Sequence, residues 1–181
     1  MRIIGLAGWS GAGKTTLLAK VLPLIVARGL TVSTLKHAHH SFDLDQPGKD
    51  SHTHRAAGAT EVLIASANRY ALMHELRGAP EPSLHELLAK LSPVDLVVVE
   101  GFKAARYRKL EIFRAAVGKP ALHLEDPLIV GIVSDTPFPA GARPVVSIDD
   151  AEAVVGLMLD HAEPIAQVLA RAPAPPQQRR A

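Results

Sequence analysis

The stretch Gly8-Trp9-Ser10-Gly11-Ala12-Gly13-Lys14-Thr15 follows directly on the apolar run Ile3, Ile4, Leu6, Ala7 and leads into a segment with apolar residues at Leu17, Leu18, Val21, Leu22 and Ile25. It matches the phosphate-binding pattern GxxxxGK[ST] throughout, and strand, glycine-rich turn and helix come in the order that pattern requires. Glycines let the chain fold back so that consecutive backbone N–H groups point at phosphate oxygens, while the lysine reaches the β and γ phosphates and the next hydroxyl binds Mg²⁺. The helix, expected from Thr16 to about Arg28, turns its positive end to the same anion. Gly8, Ser10, Gly11, Ala12, Gly13, Lys14, Thr15 and Thr16 are therefore the expected nucleotide-binding residues of the loop, with Thr15 also a metal ligand.

Beyond this helix, Gly29 breaks the pattern and the chain from Leu30 to Leu35 alternates as a strand that ends at Lys36. From His37 to about Ser51 runs a polar loop, long enough to be read as a switch-like segment near the nucleotide. A short helix over His52–Ala57 is ended by Gly58, and strands at Glu61–Ala65 and Tyr70–Met73 form a hairpin about the turn Ser66-Ala67-Asn68-Arg69. Ser83 caps a helix through Leu91, with Glu86 at the capping-box position. The run from Leu96 to Val99 is continuously apolar, as parallel strands buried on both faces are. Leu110–Phe113, within a basic stretch from Lys103 to Arg114, Ile129–Val133 and Val145–Ile148 are further strands, and Asp149 or Asp150 opens a last helix past Leu159. The pattern predicts an α/β P-loop NTPase fold, a three-layer sandwich on a mostly parallel sheet with an inserted β-hairpin. One domain is expected over residues 1–171, with residues 172–181 a disordered, proline-rich tail.

Bulk composition narrows the function classes. The 181 residues, 48% of them hydrophobic, can bury one ordinary core. Twenty basic side chains against eighteen acidic ones give a net charge of +2, which argues against a nucleic-acid binder. The absence of cysteine excludes disulfides and thiolate metal sites. No leader and no membrane helix are expected, hence a soluble, cytoplasmic protein.

A phosphate loop needs a second carboxylate for Mg²⁺ at the carboxyl end of a neighbouring strand. Asp95 and Glu100 flank one strand and, at about 3.3 Å per residue, lie roughly 16 Å apart, too far to share a metal. Glu100 is at the correct end, beside Gly101, which suits a close backbone approach; Asp95 reads as a strand-entry or cap residue. Asp50 is either a metal ligand or the N-cap of the following helix, whereas Asp43 and Asp45 read as solvated loop acids. Five of the nine histidines, His37, His39, His40, His52 and His54, fall in one segment and raise a Zn²⁺ or Ni²⁺ site as an alternative. Lys36 and His37, closing a strand at the ligand edge, are the better functional candidates of that group. The Asn/Thr-Lys-x-Asp string by which many GTPases read guanine is absent; Ser134-Asp135 at a strand end can serve the base instead, or Asp135 can simply open the turn before Pro137. Arg55 and Arg69 are candidates for transition-state charge stabilisation through their place in the sequence alone.

Taken together, the phosphate loop with Ala7 and Thr16, Leu35-Lys36-His37-Ala38-His39-His40 with Asp43-Leu44-Asp45, Pro47-Gly48-Lys49-Asp50-Ser51 and Val99-Glu100-Gly101-Phe102-Lys103 closely resemble the MobB family of molybdopterin-guanine dinucleotide biosynthesis adaptor proteins. The resemblance extends through Arg55, Ala57-Gly58-Ala59, Ala71-Leu72-Met73 and Ser134-Asp135, so it covers most of residues 1–160. It implies a homodimeric GTP-binding protein, at most a weak GTPase, that assists the guanylyltransferase MobA in attaching GMP to molybdopterin, with molybdopterin itself a further candidate ligand. It also implies that Gly11, Gly13, Lys14, Thr15 and Thr16 hold phosphate and Mg²⁺, that Glu100 stands at the second metal position, and that Ser134 and Asp135 lie near the base. A metal-delivery GTPase and a small-molecule P-loop kinase are the alternatives. The proline-rich tail departs from the family pattern.

Overall fold

Valine and isoleucine without polar alternation belong in strands covered on both faces, and such runs supply the central strands of this protein. The computed structural model describes residues 1–38, 42–102, 105–138, 141 and 143–171. In chain order the elements are Arg2–Ala7 (β1), Lys14–Ala27 (α1), Val32–Lys36 (β2), Asp50–Ala56 (α2), Glu61–Ala65 (β3), Tyr70–His74 (β4), Leu84–Leu88 (α3), Leu96–Glu100 (β5), Lys109–Phe113 (β6), Ile129–Ser134 (β7), Val145–Ser147 (β8), Ala151–His161 (α4), Glu163–Pro164 (β9) and Ile165–Leu169 (α5). They fall into two compact units, one made of Met1–His37 with the chain from Ser83 onward, the other of Ala38–Pro82.

In the larger unit the strands lie in the order β2-β5-β1-β6-β7-β8, all parallel, with β9 antiparallel against the first residues of β1. Strand order reverses at β1: the chain adds β2 and β5 on one side and β6, β7 and β8 on the other. In open α/β sheets that switch point is where a crevice opens beyond the carboxyl ends of the strands. One face carries Ile4, Leu6, Val98 and Ile112 against Leu17, Val21 and Ile25 of α1 and Val154, Val155 and Met158 of α4. The opposite face carries Ile3, Val97, Val99 and Tyr107 against Leu84 and Leu88 of α3 and Ile165 and Val168 of α5. Helices thus flank the sheet on both faces.

Several boundaries differ from those the sequence suggests. α1 begins at Lys14, because Gly13 adopts φ 89° and itself occupies the cap position. Ser83 and Glu86 form the expected capping box, but α3 stops at Leu88. β9 and α5 are new: α4 ends at His161, Glu163 and Pro164 pair with Ile3 and Arg2 of β1, and Pro164 caps a second short helix. Glu163 is buried there; burial pushes its carboxyl up, but two hydrogen bonds from Arg171 and one from the Arg108 amide outweigh that and hold it below its ordinary value.

The smaller unit contains α2 and the hairpin β3-β4, which forms its own two-stranded sheet and does not extend the large one. Its ladder runs from Glu61 opposite His74 to Ala65 opposite Tyr70. The cap of α2 is Lys49, so Asp50 is the first helical residue and a first-turn acid, not the N-cap. Asp45 is not a solvated loop acid: its side chain is only 1% exposed and accepts from Arg55 Nε at 3.1 Å and Nη2 at 2.8 Å. A carboxylate removed from water needs such a fork of donors, and Arg55 also pairs with the exposed Asp43 at 3.1 Å and with Glu75 at 3.4 Å.

The Arg55 hydrogen bonds hold the Asp45 carboxyl below its ordinary value of 3.8. A depressed folded-state value means that the pair stabilises the fold above the ordinary carboxyl range and that this contribution is lost as pH falls through the folded-state value. Asp45→Asn is expected to lower the thermal unfolding midpoint at neutral pH, and the gap to wild type is expected to close in acid. Circular dichroism melts across that range check it; a gap of constant size would show that the ion pair is not its source.

Candidate nucleotide site

The loop from Gly8 to Gly13 leaves β1 at the switch point and enters α1. Gly13 holds a left-handed conformation, and no side chain caps the helix behind it. The first-turn N–H groups of α1 therefore have no acceptor within the helix and stand at its positive end. Lys14 Nζ donates to the carbonyls of Gly8 at 2.8 Å and Trp9 at 3.1 Å, so the ammonium is folded back across its own loop. The Trp9 indole N–H donates to the carbonyl of Pro120 at 2.9 Å and ties the loop to the segment after β6. That segment is in turn fixed on Glu111, whose buried carboxylate accepts from the amides of Leu122 and His123 and meets His123 Nδ1 at 2.6 Å. Sequence reasoning missed this anchor: an isolated Glu in a strand of apolar neighbours carries no signal of the backbone amides that satisfy it.

On the β5 side, Glu100 ends its strand with Leu6 as its register partner on β1 and Lys36 as its partner on β2. Its side chain is 13% exposed, and Lys36 Nζ lies 3.7 Å away. Gly101 allows the approach expected of it, and the neighbour is His37: a Cβ on Gly101 would stand 2.6 Å from that of His37. The His37 amide donates to the Glu100 carbonyl at 2.8 Å, and its ring packs on Phe102 with centroids 4.8 Å apart. Asp95 sits at the opposite end of β5, accepting from the Thr31 amide and hydroxyl at 2.8 and 2.6 Å; these bonds hold its carboxyl below the ordinary range. It is a strand-entry residue.

On the other side, Ser134 pairs with Phe113 of β6 and Ser147 of β8 at the end of β7. Its hydroxyl accepts from the Thr136 amide at 3.0 Å. One carboxylate oxygen of Asp135 accepts from the Ala115 amide at 3.0 Å, so this side chain pins the turn that leaves β6. The larger unit thus gathers the loop residues, Lys36, His37, Glu100, Ser134 and Asp135 along one sheet edge. Asp50 belongs to the smaller unit, where it opens α2. His39, His40, Lys103 and the tail from Ala172 lie outside the described residues. Among the described residues no three His, Asp or Glu side chains form a metal cluster. The oxygen donors of Thr15 and Glu100 suit Mg²⁺, which takes one or two protein ligands and keeps water and phosphate for the rest.

Comparison with known proteins agrees with this geometry. The family model for "MobB: Molybdopterin guanine dinucleotide synthesis protein B" matches residues 3–135. The chain is 37% identical over 161 residues, 87% of its own length and 91% of the relative's, to the molybdopterin-guanine dinucleotide biosynthesis adapter protein of Escherichia coli. It is 37% identical over 139 residues, 75% and 76% of the two chains, to that of Haemophilus influenzae. The crystal structure of Bacillus subtilis MobB shares its fold with a TM-score of 0.70 at 24% identity, covering 90% of this chain and 99% of that one. A phosphate loop at the switch point, a strand-end glutamate beside it and these matches make the chain a member of the MobB family.

Proposed function

We infer that this protein is a GTP-binding, Mg²⁺-dependent adapter that assists the guanylyltransferase MobA in converting molybdopterin to its guanine dinucleotide form, and that it works in the cytoplasm as a homodimer. Family membership carries the role in molybdenum cofactor biosynthesis. The observation behind nucleotide binding is the loop itself: an uncapped helix start, a left-handed Gly13 and a lysine held ready on the carbonyls of Gly8 and Trp9. On binding, the ammonium exchanges those two acceptors for phosphate oxygens, and the N–H groups of the loop receive the phosphate chain. Thr15 and Glu100 would hold Mg²⁺, which would supply positive charge to offset that of the phosphates. Ser134 and Asp135 stand on the β7 side for the base. Turnover is expected to be weak, because phosphoryl transfer needs a group to orient the attacking water and no motif identifies one. Arg55, near the loop in sequence, already serves Asp45, Asp43 and Glu75. No helix among the described residues is long and apolar enough to cross a membrane.

The homodimer is supported by the hairpin. Leu63 opposite Leu72 and Ala65 opposite Tyr70 share one face of the β3-β4 sheet, with Leu63 62%, Leu72 49% and Tyr70 71% exposed. A two-stranded sheet is marginal alone in water, and a run of exposed apolar side chains of this kind marks an interaction surface. A second copy of the same hairpin presents the same face.

Titration with GTP and ATP, with and without Mg²⁺, tests base, metal and loop together, and co-purification with the guanylyltransferase tests the partner. Lys14→Ala is expected to reduce GTP affinity by roughly ten- to a hundredfold, since a charge-assisted phosphate contact is lost, while the two loop hydrogen bonds cost only about 1 kcal/mol of stability. Wild-type affinity in that variant would end the phosphate-loop assignment. The two carboxylates of β5 should separate cleanly: Glu100→Gln weakens Mg²⁺-dependent binding and leaves stability near wild type, whereas Asp95→Asn lowers the unfolding midpoint and leaves binding unchanged. For the dimer, Leu63→Lys combined with Leu72→Lys should sediment as a monomer where wild type sediments as a dimer; equal sedimentation would remove the hairpin from the interface.

A further inference from the structure

The phosphate loop has a charged neighbour on each side. On the β5 side stands Glu100. On the β6 side stands Arg114, the first residue beyond β6, which the sequence places only within a run of basic residues. A Cβ placed on Gly13 would lie 3.3 Å from Arg114 Nε, 3.7 Å from Nη2 and 3.9 Å from Cζ, so the guanidinium rests directly against the glycine that opens α1. Arg114 itself is half-buried, and its guanidinium makes no hydrogen bond or ion pair among the described residues. Its backbone is held firmly: the Arg114 carbonyl accepts from the Val117 amide at 3.1 Å, and the next amide, of Ala115, donates to Asp135. The preceding ring, Phe113, packs edge-on against Phe138 with centroids 4.9 Å apart.

Electrostatics make this arrangement informative. The guanidinium lies against Gly13, at the positive end of α1, and like charges brought together repel unless an anion lies between them. Arginine presents a rigid fork of donors suited to phosphate oxygens. Gly13 adjoins the part of the loop that cradles the α and β phosphates, while the lysine reaches on to β and γ.

We propose that Arg114 is a phosphate-contacting residue of this site, donating to the α and β phosphates of a bound nucleotide on the side opposite the Mg²⁺ position, with Asp135 as the positioning residue that holds the Arg114–Ala115 turn. This rests on the nucleotide-binding function proposed above. It gives Asp135 a task independent of the base, and it accounts for glycine at position 13 on two grounds: the left-handed backbone, and the space the guanidinium occupies.

The test is calorimetric titration of the full chain with GTP and with GDP, in the presence of Mg²⁺, for wild type, Arg114→Ala, Arg114→Lys and Lys14→Ala, together with melting of each protein without nucleotide. Arg114→Ala is expected to lose roughly ten- to a hundredfold in affinity for both nucleotides by similar factors. Arg114→Lys should recover only part of this, since it restores the charge without the fork. Both variants should melt no lower than wild type in the absence of nucleotide. A loss confined to GTP overturns the placement at α and β. Unchanged affinity in Arg114→Ala with reduced affinity in Lys14→Ala overturns the role of Arg114 and leaves nucleotide binding standing; unchanged affinity in both overturns nucleotide binding at this loop. A lowered melting temperature in Arg114→Ala with full affinity restored in Arg114→Lys identifies a structural cation instead.

Discussion

Parallel pairing of β1 with both of its long neighbours governs where every charged group of the site stands. Because all these strands run the same way, hydrogen-bond register turns position in the sequence into height along the sheet. Leu6 lies level with Glu100 on one side and Leu110 on the other, and Phe113 lies level with Ser134. A slip of one residue in a strand buried on both faces would exchange its two sets of side chains, so the packing of Ile3 against one helical layer and Ile4 against the other enforces the register that the charges exploit. The apolar core fixes the geometry and the polar edge inherits it.

The two units solve the same problem of charge differently. In the larger one Lys14 is folded back on the carbonyls of its own loop, and the Arg114 guanidinium rests against Gly13. In the smaller one, compensation is internal: Arg55 gathers Asp43, Asp45 and Glu75 around itself, and Arg77 donates to the carbonyls of Arg55 and Ala59. α2 contributes no buried residue, and the hairpin shelters little beyond Val62. Polar bonding carries more of the order there than hydrophobic burial does.

What was legible in the chain follows the range of the interaction concerned. The phosphate loop, the strand from Leu96, the hairpin strands and the Ser83 capping box are encoded by neighbours a few residues apart, so a single sequence displays them. Glu100 was readable as the carboxylate at the loop end of its strand because strand direction alone distinguishes it from Asp95. Asp45 looked like a loop acid because its partner is ten residues further on and nothing local says that the two meet. Glu111, Arg114 and β9 depend on which strands become neighbours, and no periodicity records that. Asp135 was placed at the correct strand end, but its bond to Ala115 joins two turns twenty residues apart.

β9 has a consequence for how the protein is made. The start of β1 is completed by residues from the far end of the folded chain: Ile3 pairs with Glu163, the Ile165 amide donates to the Met1 carbonyl, and the Arg2 guanidinium holds the carbonyls of Leu159 and Ala162. During synthesis the strand that leads into the phosphate loop emerges early, yet one side of its first residues stays open until the ribosome has delivered the segment around residue 165. Contacts of such long sequence separation close late and slowly. The nascent chain therefore carries an open edge at the start of β1 until that segment has emerged.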